Sequence, residues 1–182
     1  MIKNANSPPP GWGKIVNKML AIPTLDPIVR EFISSPSKLK WSPPPSDKAE
    51  ARAFVSTEDV NNDGTIDKIN IVMTNINKDI PQNILSKLET LNNNDPILDD
   101  LAKSFAEIIT HEVAHIKSFD PEKGEFVGGE TPAQVAEQQF RASVSALYSL
   151  EITRDLLKFA SKLDSIGLPH LADEIDKLFV KK

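Results

Sequence analysis

At 182 residues the chain is long enough for one domain with a buried core and short appendages. Its net charge of -5, with no Lys/Arg-rich tract to offset it, argues against nucleic-acid binding, which needs clustered positive charge. There is no cysteine, so disulfides and thiolate metal sites are excluded and any zinc must sit on His and carboxylate ligands.

The chain opens MIKNANSPPPGWGK, in which Pro8-Pro9-Pro10 and Gly11-Trp12-Gly13 predict an extended, poorly packed start. This stretch lacks the apolar core of a signal peptide, and no later apolar run approaches membrane-spanning length. A cytoplasmic protein without membrane contact is the expectation. Residues 14–34 hold short helical patterns broken by Pro23 and Pro27. PSKLKWSPPPSDK (36–48), with four prolines, reads as a linker, which puts the start of the compact domain near Lys48. ARAFVSTEDV and TIDKINIVMTNI then predict two strands around the turn Asn61-Asn62-Asp63-Gly64.

Pro81 to Asn92 predicts a short helix, and Asp95-Pro96 opens a longer one, with Asp95 as cap and Pro96 in the first turn. Its apolar stripe is Leu98, Leu101, Ala102, Phe105, Ile108, Ile109, Ala114 and Ile116, a helical spacing that runs to Asp120-Pro121. A loop, EKGEFVGGE, follows, and Thr131-Pro132 starts a helix that continues past Leu150. The remainder predicts two short amphipathic helices broken at Gly167-Leu168-Pro169.

The chemistry concentrates in His111-Glu112-Val113-Ala114-His115, inside the long helix. Positions i and i+4 share a helix face, so both imidazoles can reach one metal ion. Glu112, beside the first His, is placed to take a proton from water without being a ligand. The bland alternative is a pair of surface histidines on an amphipathic helix.

This stretch resembles the active-site helix of the zincin metallopeptidases, which carries HExxH. The likeness extends over the strand–helix–loop–helix order of residues 49–150. It implies zinc held by His111 and His115, Glu112 as catalytic base, and peptide or protein substrate received beside an edge strand, for which the hairpin at 49–74 is the candidate. The metzincin continuation is absent, because His115 is followed by IKSFDPEKG. That implies the gluzincin-like branch, where a glutamate on a following helix is the third ligand. Glu130 follows Gly128-Gly129 and begins an E-x-x-A pattern that some gluzincins show; Glu137 lies two turns later, on the face of Ala133, Phe140 and Val144. Glu130 is favoured as ligand, with Glu137 as the alternative or as a partner orienting a histidine.

Asp59, Asn61, Asp63, Thr65 and Asp67 have calcium-loop spacing around Gly64, but Asn70 stands where a bidentate Glu belongs, so a plain turn is favoured over Ca2+. Tyr148 would stabilise an oxyanion only if its helix faced the zinc, and a core or surface role is preferred. His170 reads as a surface residue, and Trp12 and Trp41 as anchors for the N-terminal arm. The C-terminal helix pair is similar to tails of phage-encoded proteins, which implies a virion-associated setting. The expected whole is α+β, a small antiparallel sheet on a helical layer. It comprises a proline-rich arm at 1–47, a zincin-like peptidase domain at 48–153 and a helical hairpin at 154–182. The rival expectations are a zincin scaffold with a structural or partner-binding role, and a hydrolase of non-peptide amides.

Overall fold

The computed structural model describes residues 7–43, 50–74, 80–120, 123 and 125–180. Helices α1 (Trp12–Leu20) and α2 (Pro27–Ser34) lead into strand β1 (Leu39–Trp41), and β2 (Ala53–Glu58) and β3 (Lys68–Met73) form a hairpin. A four-residue helix α3 (Gln82–Leu85) precedes the long α4 (Pro96–Lys117). A short ribbon, β4 (Phe119–Asp120) with β5 (Glu125–Phe126), connects it to α5 (Thr131–Ser165), and α6 (Pro169–Val180) ends the chain. Mixed helix and strand make this an α+β protein. No described helix is long and apolar enough to cross a membrane. Residues 1–6, 44–49 and 75–76, which belong to the expected arm, linker and second strand, lie outside the described residues.

The three-stranded sheet has the order β1-β3-β2. β3 runs antiparallel to β2, with Val55 opposite Ile71, and parallel to β1, with Lys40 opposite Val72. The expected antiparallel sheet is therefore mixed. Asn70 to Met73 on the central strand are all buried, whereas β2 is the outer strand among the described residues.

The expected separate N-terminal arm needs correction. The chain divides by contacts into two units, residues 1–141 and 142–182, and α1, α2 and β1 belong to the first together with α4. Prolines here start elements rather than prevent them: Pro27 sits in the first turn of α2, where its missing N–H costs nothing. Ile15, Met19, Val29 and Phe32 then bury against the core that includes Phe105 and Ile109 of α4. Trp12 is 7% exposed and meets Trp41 and Phe105 edge-on, each at 4.9 Å between ring centroids. Gly11 makes this possible. Its φ is +83°, and a Cβ there would stand 2.7 Å from the backbone of Leu88 and Glu89.

α4 is fixed at both ends. The Asp95 carboxylate accepts from the Ile97 N–H, as a capping residue should, and Lys117 in the last turn donates to Asp26 Oδ2 at 2.7 Å. Asp26 also caps α2 by accepting from the Ile28 N–H. Burial works to raise its pKa, but the hydrogen bonds from Lys117 and Ile28 outweigh it and hold the carboxyl below its usual value. Leu98, Phe105, Ile109 and Val113 are at most 1% exposed, so one face of α4 belongs to the core and an adjacent face is left for the histidines.

The second unit begins inside α5, after Arg141 rather than at residue 154 as expected. Its core consists of Ala160, Leu163 and Ala172, with Leu168 and Ile175 packed against them. The break falls where the sequence puts it: Gly167 has φ +81°, and Pro169 opens α6.

Candidate metal centre

The i, i+4 spacing on α4 brings the His111 and His115 rings to 5.0 Å between centroids. Both are largely enclosed, their side chains 22% and 14% exposed. They open on a cleft of about 810 Å³ whose walls include Ala53, Phe54 and Val55 of β2, Ile108 of α4 and Phe126 of β5. Phe126 stands edge-on to His115 at 6.1 Å and beside Phe119, so the short ribbon forms an aromatic wall.

Glu130 enters from the turn before α5. Gly128 and Gly129 both have positive φ, at +89° and +59°, which lets the chain reverse and bring the next carboxylate back towards α4. Glu130 Oε2 lies 3.3 Å from His111 Nε2 and 3.5 Å from His115 Nε2. A tetrahedral ion with bonds of about 2.1 Å separates its ligands by about 3.4 Å, so these separations fit one zinc-sized ion. Among the described residues this trio is the group whose donors converge, all within 4.8 Å. Two imidazoles and one carboxylate are a donor set that could hold a divalent ion with three protein ligands.

Glu137 occupies a different place. Its Oε2 is 3.1 Å from His111 Nδ1, the nitrogen on the far side of the ring from Glu130. Its Oε1 accepts from Arg141 Nη2 at 2.5 Å, and the same Nη2 donates to Glu107 Oε1 on α4 at 2.6 Å. Glu112 is 8% exposed yet lines the cleft between the two histidines in sequence.

Compared with protein-family profiles, curated proteins and solved structures, the chain matches none.

Burial lowers the pKa of His115 below its ordinary 6.5, with the neighbouring His111 adding to the effect and Glu130 opposing it. A neutral imidazole at physiological pH is the form that can offer a nitrogen lone pair to a metal.

The other sequence candidates lie elsewhere. Asp59, Asn61, Asp63, Thr65 and Asp67 form the β2–β3 hairpin loop, and their carboxylates are engaged by the loop itself. Asp59 accepts from the Asp63 and Gly64 N–H groups, Asp63 from Thr65, and Asp67 from the Val60 N–H. Asn62 and Gly64 supply the positive φ angles of the turn. Tyr148 is 39% exposed and belongs to the second unit, as does His170, also exposed. Glu107, Arg141 and Phe126 carry no motif. The spacing of Glu107 to His111 and of Glu137 to Arg141, each i to i+4, was the signal that could have linked them.

Proposed function

We propose that the protein is a zinc-dependent metallopeptidase of zincin type, with His111, His115 and Glu130 as ligands and Glu112 as general base. What carries this is the convergence of the two Nε2 atoms and Glu130 Oε2 at the mouth of a cleft beside HExxH. Zinc held there supplies a Lewis acid that lowers the pKa of water and polarises a scissile carbonyl. Glu112 takes the proton of the attacking water and passes it to the leaving amine. Glu137 accepts a hydrogen bond from Nδ1–H of His111, which leaves Nε2 with the lone pair that the metal needs. β2, the outer strand among the described residues, lines the cleft wall, so an extended peptide lying across the site would run beside it.

A partner-binding scaffold with little turnover is the second reading, and one observation favours it. Leu150, Ile152, Leu157, Phe159 and Ile166 in the second unit are between 46% and 66% exposed, more apolar surface than a hydrolase needs there. The two readings part on one experiment. Wild type and Glu112→Gln, both loaded with zinc, are assayed against a broad peptide library. The peptidase reading expects zinc in both and a fall in turnover of about 10²–10⁴-fold in the variant. Zinc in both with no turnover in either would favour the scaffold.

A further inference from the structure

We infer that Arg141 is a positioning residue of the metal centre: its guanidinium fixes Glu137 so that Glu137 holds His111 in the metal-binding tautomer. The inference rests on the proposed function only for its metal readout. Glu137 divides its two oxygens, Oε2 facing His111 Nδ1 at 3.1 Å and Oε1 accepting from Arg141 Nη2 at 2.5 Å. An ionised carboxylate can only accept, so the hydrogen bond at Nδ1 favours hydrogen there and the lone pair on Nε2, while Glu130, 3.3 Å from Nε2, competes for the proton until a metal stands between them. That assignment is as firm as the orientation of Glu137, whose other oxygen is held by Arg141 one turn on along the same helix.

Arg141 is itself held from the other helix. Glu107 stands one turn before His111 on α4, its side chain 20% exposed, and accepts from the same Nη2 at 2.6 Å. Glu107 and Glu137 are like charges on facing helices, with Glu130 close by on the other side of the imidazole. A cation between the first two turns a repulsion into a bridge, and it does so with a planar donor set whose direction is fixed. Remove it and Glu137 loses the partner of Oε1 while facing Glu107 uncompensated, so its carboxylate is driven to turn away from Nδ1. The imidazole then exchanges between its two neutral tautomers, one of which places hydrogen where the metal should bind. An exposed i, i+4 ion pair has little effect on stability, so this chain of contacts acts on the ring rather than on the fold.

The test uses the full chain with Arg141→Met and Arg141→Lys. Imidazole ¹⁵N shifts of the metal-free protein, taken above the His pKa, report the tautomer; titration with zinc alone reports affinity. Wild type is expected to show His111 with hydrogen mainly on Nδ1, the nitrogen hydrogen-bonded to Glu137, against the competing Glu130 at Nε2. Arg141→Met is expected to give a tautomer mixture and zinc binding weaker by about tenfold, the lower end of what losing an outer partner of a ligand does. Arg141→Lys should recover part of both, and the melting temperature of the metal-free protein should stay the same in all three. Unchanged ¹⁵N shifts and unchanged zinc affinity in Arg141→Met would overturn the inference. A wild-type chain that binds no zinc would contradict the metal reading instead, and the ¹⁵N shifts would still decide the role of Arg141.

Discussion

Glu130 and Glu137 differ by which nitrogen of His111 each one meets, and that decides what each can do. Glu130 faces Nε2 of both histidines, whereas Glu137 faces only Nδ1 of one. Glu130→Ala is therefore expected to weaken zinc binding by more than about 100-fold, and Glu137→Ala by about 10–100-fold. Calorimetric or competition titration measures both, and equal losses would contradict the assignment. His115 supplies a second expectation. Its folded pKa lies below the ordinary 6.5, so the unfolded chain takes up a proton that the folded chain resists. Stability of the metal-free protein is then complete above about pH 6.5 and is lost as pH falls towards the lower, folded pKa. Urea unfolding with chelator across that range should show the loss, and His115→Ala should flatten it. A steeper dependence in the variant would contradict it. The HExxH residues were legible because a helix places i and i+4 together whatever surrounds it. The sequence favoured Glu130 for the Gly128-Gly129 turn before it, but which nitrogen of His111 each glutamate meets depends on how α5 stands beside α4, which no local pattern contains.

At the scale of elements, legibility followed how local the cause was. α4 announced itself through the Asp95 cap, Pro96 and a stripe from Leu98 to Ile109, all readable within the helix. The hairpin announced itself through alternation around Asn-Asp-Gly. The helical patterns at 14–34 were legible too and became α1 and α2, but their place in the core and the strand β1 were not, because the prolines looked like the signs of an arm and linker while the partners lie some 30 to 90 positions away. Trp12 meets Phe105, and Leu39 pairs with Ile71, contacts that no local window contains. The consequence is testable. Trp12→Ala removes a buried ring that spans three elements, and it should lower stability by about 3–5 kcal/mol. Denaturant unfolding measures this; a loss of only a few tenths would mean that the N-terminal segment is the loose arm its prolines suggest.

At the scale of the molecule, the first unit contains the cleft, all the candidate ligands and Arg141, so the chemistry proposed here needs nothing from the second. Among the described residues, the buried cluster of the second unit is Ala160, Leu163 and Ala172 with Leu168 and Ile175 packed against it, small beside the exposed Leu150, Ile152, Leu157, Phe159 and Ile166. The central claim is that the first unit holds a zinc ion on His111, His115 and Glu130. Metal analysis of the purified full chain, beside His111→Ala and His115→Ala, tests it most directly. About one zinc per chain is expected in the wild type, and near loss of it in each variant, because two ligands do not hold a four-coordinate ion tightly. A wild-type chain that takes up no zinc, or variants that keep full occupancy, would contradict the claim.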